Sequence, residues 1–133
     1  MLVEAKSLGN ALSNTSLAYA FYGCKKLTEV SSILPNTVTS LEETFWNCFI
    51  FNSPNVCNWD TSKVTNMGYM FRGAYAFNQD IGNWNVSSCS NFNNMFHIAY
   101  AFNQDIGNWK LRPAGVTMTD MFYNASAWST PSA

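Results

Sequence analysis

AYAFNQDIGNW occurs twice in this chain without a change, at residues 74–84 and again at 99–109. Eleven identical residues at a spacing of 25 indicate one structural unit that is repeated along the chain. Weaker copies extend the series, and each copy contains an equivalent marker phenylalanine. The markers are Phe21, Phe45, Phe71, Phe96 and Phe122. The sequence therefore predicts a repeat protein with units of 24 to 26 residues.

The composition limits the classes of partner. The chain has 133 residues, the length of one domain, and carries seven basic and eight acidic side chains. Such a balance does not provide the basic surface that binds nucleic acid. No apolar run has the length of a signal peptide or of a membrane span. We therefore expect no nucleic-acid partner, no signal peptide in this chain and no direct membrane span.

The spacing of apolar residues before each marker phenylalanine predicts a helix. Val64, Met67, Met70, Phe71 and Ala74 are separated by steps of three, three, one and three, which follow one helix face. The segment FNQDIGNW that comes next is too short for another helix and is predicted to form a buried strand or extended segment. Successive strands would then lie side by side in parallel, joined by helical crossovers.

The predicted fold class is α/β, a right-handed leucine-rich-repeat-like solenoid. It has about four coils, each a short parallel strand plus a helix. The chain, 1–133, is assigned to one repeat domain, with an N-terminal cap or partial coil at 1–20, repeats at 21–128 and a tail at 129–133. Equivalent side chains are expected to stack in columns, with Phe77 beside Phe102 and Trp84 beside Trp109.

The four cysteines occupy repeat positions that favour packing. Cys24 and Cys48 each follow a marker phenylalanine by three residues, where later units have alanine. A reduced buried cysteine packs as a small apolar side chain, which is the favoured interpretation. A Cys24–Cys48 bridge between neighbouring coils is the alternative. We expect no metal and no cofactor, because the sequence has no CxxC pair and no Cys/His cluster.

Asparagines at one repeat position are predicted to have a structural role. Asn52, Asn78 and Asn103 are equivalent in successive units. Stacked amide side chains can hydrogen-bond to one another and to the turn backbone. The sequence therefore predicts an asparagine column that joins the units.

Polar and aromatic residues near the predicted strands are the candidates for partner binding. Alternate strand residues would face outward, and equivalent tyrosines would stack along the edge of the coils. The candidates are Tyr75, Gln79, Asp80, Tyr100, Gln104 and Asp105. Asp80 and Asp105 could also hold a cation or act as an acid/base pair, but a polar edge is favoured. His97 is the only histidine and no nucleophile is arranged around it, so no enzyme is predicted.

Two parts of the chain resemble known repeat families. Residues 21–48, FYGCKKLTEVSSILPNTVTSLEETFWNC, resemble the BspA-like leucine-rich repeats of bacterial and protist surface proteins. From Trp59, WDTSKVTNMGYMFRGAYAFNQDIGNW resembles the repeat of the mycoplasma-type surface lipoprotein family of unknown function. VTNMxxMF and FNQDIGNW carry this second resemblance. The resemblances imply an extracellular or cell-surface location and binding at cell surfaces.

The leading functional prediction is a non-catalytic protein-interaction or adhesion module of the BspA-like leucine-rich repeat type. Repeat stacks provide wide surfaces rather than closed pockets, which suits a protein partner or a surface glycan. The alternative is a structural linker or scaffold subunit that docks in a larger complex through the C-terminal coil.

Overall fold

The computed structural model describes residues 4–5 and 15–128. Strand β1, Glu4–Ala5, pairs in parallel with strand β2, Glu29–Val30, and a 3-10 helix spans Pro54–Asn58. These described residues contain no α-helix. The prediction of an α/β, right-handed leucine-rich-repeat-like solenoid with a strand and a helix in each of about four coils is therefore wrong. The predicted tail at 129–133 and most of the predicted cap at 1–20 lie outside the described residues.

Consecutive turns take the place of the predicted helices. Five turn segments, 17–27, 41–51, 67–77, 92–102 and 118–128, contain amides that donate to the carbonyl three residues earlier. In the third segment Met70 donates to Met67, and Ala74 donates to Phe71. An α-helix would instead use the carbonyl four residues earlier. Because the turns repeat at short intervals, they also produce the spacing of three that indicated a helix.

Backbone hydrogen bonds join each turn segment to the next. The amides that do not close turns donate across the junction, as Met67 does to Asn91 and Phe71 does to Met95. The four bonds that each of the first four segments donates to the following unit have N···O distances of 2.7 to 3.1 Å. Alternate amides are thus used within a segment and between segments, which satisfies the backbone donors without a helix or a wide sheet.

Two positions in every turn segment have a left-handed backbone conformation. At the first stand Tyr19, Glu43, Tyr69, Asn94 and Asp120, and at the second Gly23, Asn47, Gly73, Ile98 and Asn124. Their φ angles lie between 52° and 72°. A right-handed helix cannot contain two such residues within five. This is the physical reason why the helix prediction fails.

The FNQDIGNW segments form no strand at 77–84 or at 102–109. Asparagine side chains join these segments instead, because the backbone N–H groups of Asn78 and Asn103 donate to the side-chain Oδ1 atoms of Asn52 and Asn78, each at 2.9 Å. The predicted asparagine column is confirmed in this role. The segments also approach closely, since a Cβ added to Gly82 would lie 2.6 Å from the Asp105 carbonyl oxygen.

Stacked aromatic rings fill the core in two columns. Successive marker phenylalanines have ring centroids 5.5 to 5.7 Å apart. In the second column Phe77 lies 6.0 Å from Phe51 and 5.9 Å from Phe102, so the predicted stacking of Phe77 beside Phe102 is confirmed. Both rings of the pair are fully buried. Burying one such ring stabilises the fold by about 1.5 to 3 kcal/mol.

The tryptophans of the repeat tie neighbouring units together. Each indole N–H donates to a backbone carbonyl of the preceding unit, from Trp59 to Ser31 at 2.8 Å and from Trp84 to Val56 at 2.9 Å. Trp109 makes the equivalent bond at 2.9 Å. The bond from Trp84 is buried, where an unpaired donor would be costly, so these bonds fix the position of one unit on the next.

The cysteines are all free thiols. Cys48 is fully buried and its thiol donates to the Phe21 carbonyl at 3.0 Å. Burial, with a smaller contribution from Cys24, raises the pKa of Cys48 to about 12. Burial likewise raises the pKa of Cys89 to about 11. The favoured prediction that these two residues serve as small core side chains agrees with this burial.

Thiol reactivity tests the burial of these cysteines. Cys48 and Cys89 should resist iodoacetamide in the folded chain, whereas the half-buried Cys24 and Cys57 react first, as measured by mass spectrometry. Equal modification of all four cysteines in the native state would contradict the fold.

The folded pKa values of Cys48 and Cys89 exceed the ordinary value of 9.0. The contribution of these two buried thiols to the free energy of unfolding is therefore present below pH 9 and is lost as the pH rises toward 12.

Substitution at a left-handed position tests the turn geometry. Ile98 has φ 52°, a strained conformation for a β-branched side chain, whereas Asn124 holds the equivalent position at φ 55°. We expect Ile98→Asn to raise the free energy of unfolding by about 1 kcal/mol and Asn124→Ile to lower it by a similar amount. Thermal melts of both variants measure this. A stabilising Asn124→Ile would show that the backbone is not left-handed there.

Candidate functional site

An exposed line of aromatic rings runs across three turn segments. This tyrosine line consists of Phe49, Tyr75 and Tyr100, which occupy one repeat position. Ring centroids are 4.7 Å apart for Phe49 and Tyr75 and 5.0 Å apart for Tyr75 and Tyr100. Tyr75 is 37% exposed and Tyr100 is 47% exposed. The structure therefore brings the two predicted tyrosines together on the surface.

A cation covers one end of the tyrosine line. The Lys25 ammonium lies 5.3 Å from the Phe49 ring centroid, over a face of the ring. This geometry is within the range of a cation–π interaction, which contributes about 0.5 to 1 kcal/mol at exposed sites. Phe49 was not among the predicted site residues, although its place at the repeat position of Tyr75 was a signal for it.

A second aromatic group, the Trp46 cluster, was missed by the sequence reasoning. Trp46 has ring contacts with Tyr22 at 5.4 Å and Tyr69 at 5.2 Å, and the Arg72 guanidinium lies 4.5 Å from its ring centroid. Tyr19 joins the cluster through Tyr22 at 6.3 Å. The signal for Tyr22 and Trp46 was their place directly after a marker phenylalanine, where the repeat faces outward.

The side chains of the two predicted glutamines make hydrogen bonds within the protein. Gln79 Nε2 donates to the backbone oxygen of Asn52 at 2.9 Å and to its Oδ1 at 3.0 Å. Gln104 makes the equivalent bonds to Asn78, both at 3.0 Å. These amide groups therefore brace the asparagine column, which leaves fewer of their donors for a partner.

The two predicted aspartates are exposed and shape their own turns. Asp80 Oδ1 accepts the Gly82 amide at 3.0 Å, and Asp105 Oδ1 accepts the Gly107 amide at 2.8 Å. Within residues 4–5 and 15–128 there is no group of three or more His, Cys, Asp or Glu that could hold a metal ion. The aspartates thus have a structural role at the surface, with carboxylates that remain open to solvent.

Neighbouring groups shift the pKa values of two side chains near the Trp46 cluster. The carboxylates of Glu43 and Glu42 raise the pKa of Tyr19. Partial burial, followed by the charge of Arg72, lowers the pKa of His97, whose Nδ1 lies 2.7 Å from Asn94 Oδ1. His97 therefore belongs to a polar contact with Asn94.

A shallow groove of about 310 Å³ lies apart from the tyrosine line. It is lined by Trp84, Asn85, Val86, Ser87, Asn108 and Lys110, none of which was predicted as a site residue. Trp84 is almost fully buried, so its indole ring mainly serves the core. The groove therefore offers a small depression of mixed polarity, whereas the tyrosine line offers exposed aromatic surface.

Comparison with known proteins identifies the repeat. Across the described residues, no helix has the length and apolar character needed to cross a membrane. No curated protein and no solved structure matches the chain. A family of mycoplasma proteins matches residues 15–132, which include all five turn segments and the tyrosine line. The chain therefore belongs to the family described as "Mycoplasma protein of unknown function, DUF285".

Proposed function

We propose that this protein is a non-catalytic protein-interaction or adhesion module that binds its partner through the tyrosine line. The observation that carries this proposal is the exposed stack of Tyr75 and Tyr100 on Phe49. Aromatic residues with polar tips are enriched at protein interfaces, because they combine apolar area with hydrogen bonding. The tyrosine line offers both apolar area and hydrogen-bonding hydroxyl groups to a protein partner or a surface glycan.

The rigidity of the line supports a recognition role. Tyr75 lies one residue after Ala74, a core residue whose amide closes a turn to Phe71. The neighbouring Gly73 amide donates to the His97 carbonyl in the next segment. Tyr100 is held in the same manner by Ala99, which donates to Phe96. A surface fixed in this way loses little conformational entropy on binding, which favours affinity.

The surrounding residues suit a neutral partner. The chain has a net charge of −1, and two of its cations, Lys25 and Arg72, lie over aromatic rings. Among the six predicted residues, we assign direct contact to Tyr75 and Tyr100, with Asp80 and Asp105 as exposed acceptors. Gln79 and Gln104 act indirectly in this proposal, since their amides hold the asparagine column.

A second candidate is the structural linker or scaffold subunit, docking through the last turn segment. Met118 is 40% exposed, whereas the equivalent Met67 and Phe92 are fully buried. Phe122 and Trp128 in that segment are half-buried, with their rings stacked 4.0 Å apart. Such an apolar surface would suit a further packed unit.

Binding by a tyrosine-line variant tests the proposal. The probes are a displayed peptide library and immobilised extracellular glycoproteins, with and without enzymatic removal of their glycans. We expect Tyr75→Ala/Tyr100→Ala to weaken binding of the selected probes by roughly tenfold or more, measured by biolayer interferometry. The matched control is Tyr22→Ala, because Tyr22 is 50% exposed but lies outside the line.

The outcomes separate the two candidates. Equal melting temperatures for the wild type and the double variant would show that a loss of binding is local. If the double variant binds the selected probes as tightly as the wild type, the tyrosine line is not the binding site. If no probe binds but the chain self-associates and Met118→Ser abolishes this, the scaffold candidate is favoured.

A further inference from the structure

The tyrosine line is covered at one end and open at the other. Lys25 covers the outer face of Phe49, and the Tyr75 ring lies between Phe49 and Tyr100. In the fifth turn segment the equivalent position is Ser126, which has no ring. Among the described residues, no aromatic side chain stacks on the remaining face of Tyr100. Tyr100 is 47% exposed, so part of its ring is accessible to a partner.

The backbone holds this open face in a defined setting. The Ala127 amide donates to the Tyr100 carbonyl at 3.2 Å, which fixes Ser126 in the segment directly beside Tyr100. Ser126 is exposed and small. A side chain the size of a phenyl ring at this position would continue a line whose internal spacing is 4.7 to 5.0 Å. Ser126 therefore places a short, exposed hydroxyl side chain where the line would otherwise continue.

The two core columns do not stop in this way. The marker column continues to Phe122, and the second core column continues to Trp128, both in the fifth segment. Tyr123, three residues before Ser126, is 54% exposed and contacts the edge of His97 at 4.8 Å. The fifth segment therefore presents an exposed tyrosine one turn away from the position where the line ends.

We propose that the outer face of Tyr100 is a binding site for an aromatic side chain of a protein partner, which stacks over Ser126. This inference rests on the proposed function and narrows the partner from a protein or glycan to a polypeptide with an exposed Phe, Tyr or Trp. Within the line, phenyl and phenol rings already stack with centroids 5.0 Å apart or less and in nearly parallel planes. Offset stacking of this kind is favourable beyond the area that it buries.

The open face is already in its binding geometry before a partner arrives. Tyr100 is held on one side by Tyr75, with an angle of 18° between the rings. The partner ring would therefore contact a fixed surface and would bury the part of Tyr100 that is now exposed. A single ring of this size binds weakly alone, so longer peptides should bind through this ring together with contacts along the line.

Nuclear magnetic resonance of the full chain tests this site with N-acetyltryptophanamide as the probe. Carbon-13 labels on tyrosine report each ring, and Tyr100→Phe assigns the Tyr100 signals. We expect upfield shifts of the Tyr100 signals that increase with probe concentration, with little change at Tyr19, which is 55% exposed against 47% for Tyr100. N-acetylleucinamide and methyl glucopyranoside serve as non-aromatic and sugar controls, and both should leave Tyr100 unchanged.

Two variants at Ser126 make the test specific. Ser126→Tyr would place a ring from the chain itself over Tyr100 and should weaken probe binding by about two- to tenfold. Ser126→Ala keeps the position open and should bind like the wild type. Retention of the Tyr75 signals in both variants shows that the fold is intact.

Other results would overturn the inference. Equal probe binding by Ser126→Tyr, or equal shifts at Tyr19 and Tyr100, would place the probe elsewhere. A shift of Tyr100 caused by the pyranoside and not by the indole would identify a sugar site instead. If peptides selected on the protein still depend on Tyr75 and Tyr100 while the indole does not bind, this inference fails and the proposed function stands.

Discussion

The alternate use of backbone amides is the constraint on which the structure depends. Within a turn segment, one backbone amide donates to the carbonyl three residues earlier, and the amide of the next residue donates to a carbonyl of the neighbouring segment. Left-handed residues at two positions in each segment make this alternation possible. Because the pattern recurs at all four junctions, equivalent residues of successive units lie beside one another. The ring columns and the asparagine column both follow from this register.

The same register creates the surface on which the functional proposal is based. A side chain that points outward in one segment has an equivalent neighbour on the next, so Phe49, Tyr75 and Tyr100 form a line. The buried phenylalanines supply the apolar packing of the core, whereas Tyr75 and Tyr100 remain exposed. In the proposed function, specificity would come from the few positions where the repeats differ, such as Ser126.

The repeat and its columns could be predicted from the sequence, but the backbone conformation could not. Identical segments at 74–84 and 99–109 indicated which residues would stack, and Phe77 lies beside Phe102 as predicted. The spacing of Met67 and Met70 suits both a helix and a series of turns, so periodicity alone could not separate them. Glycine or asparagine occupies some of the left-handed positions, but Tyr69 and Ile98 hide the pattern in others.

The candidate site was predicted only in part for a related reason. Tyr75 and Tyr100 were predicted to stack along the edge of the coils, and both are exposed there. The glutamines were expected to face a partner because the segment was predicted to be a strand with alternating faces. Their amides instead bond to the preceding asparagine, a contact that depends on the close approach of two segments without backbone pairing. The Trp46 cluster was missed because its members come from two different repeat positions.

The most direct test of this account is to measure scalar couplings across backbone hydrogen bonds by nuclear magnetic resonance. The account predicts that the Phe71 amide nitrogen couples to the carbonyl carbon of Met95, and that the Ala74 amide nitrogen couples to that of Phe71. A helix at 64–74 would instead couple the Phe71 nitrogen to the Met67 carbonyl, four residues earlier. Observation of that Met67 coupling would contradict the alternating pattern.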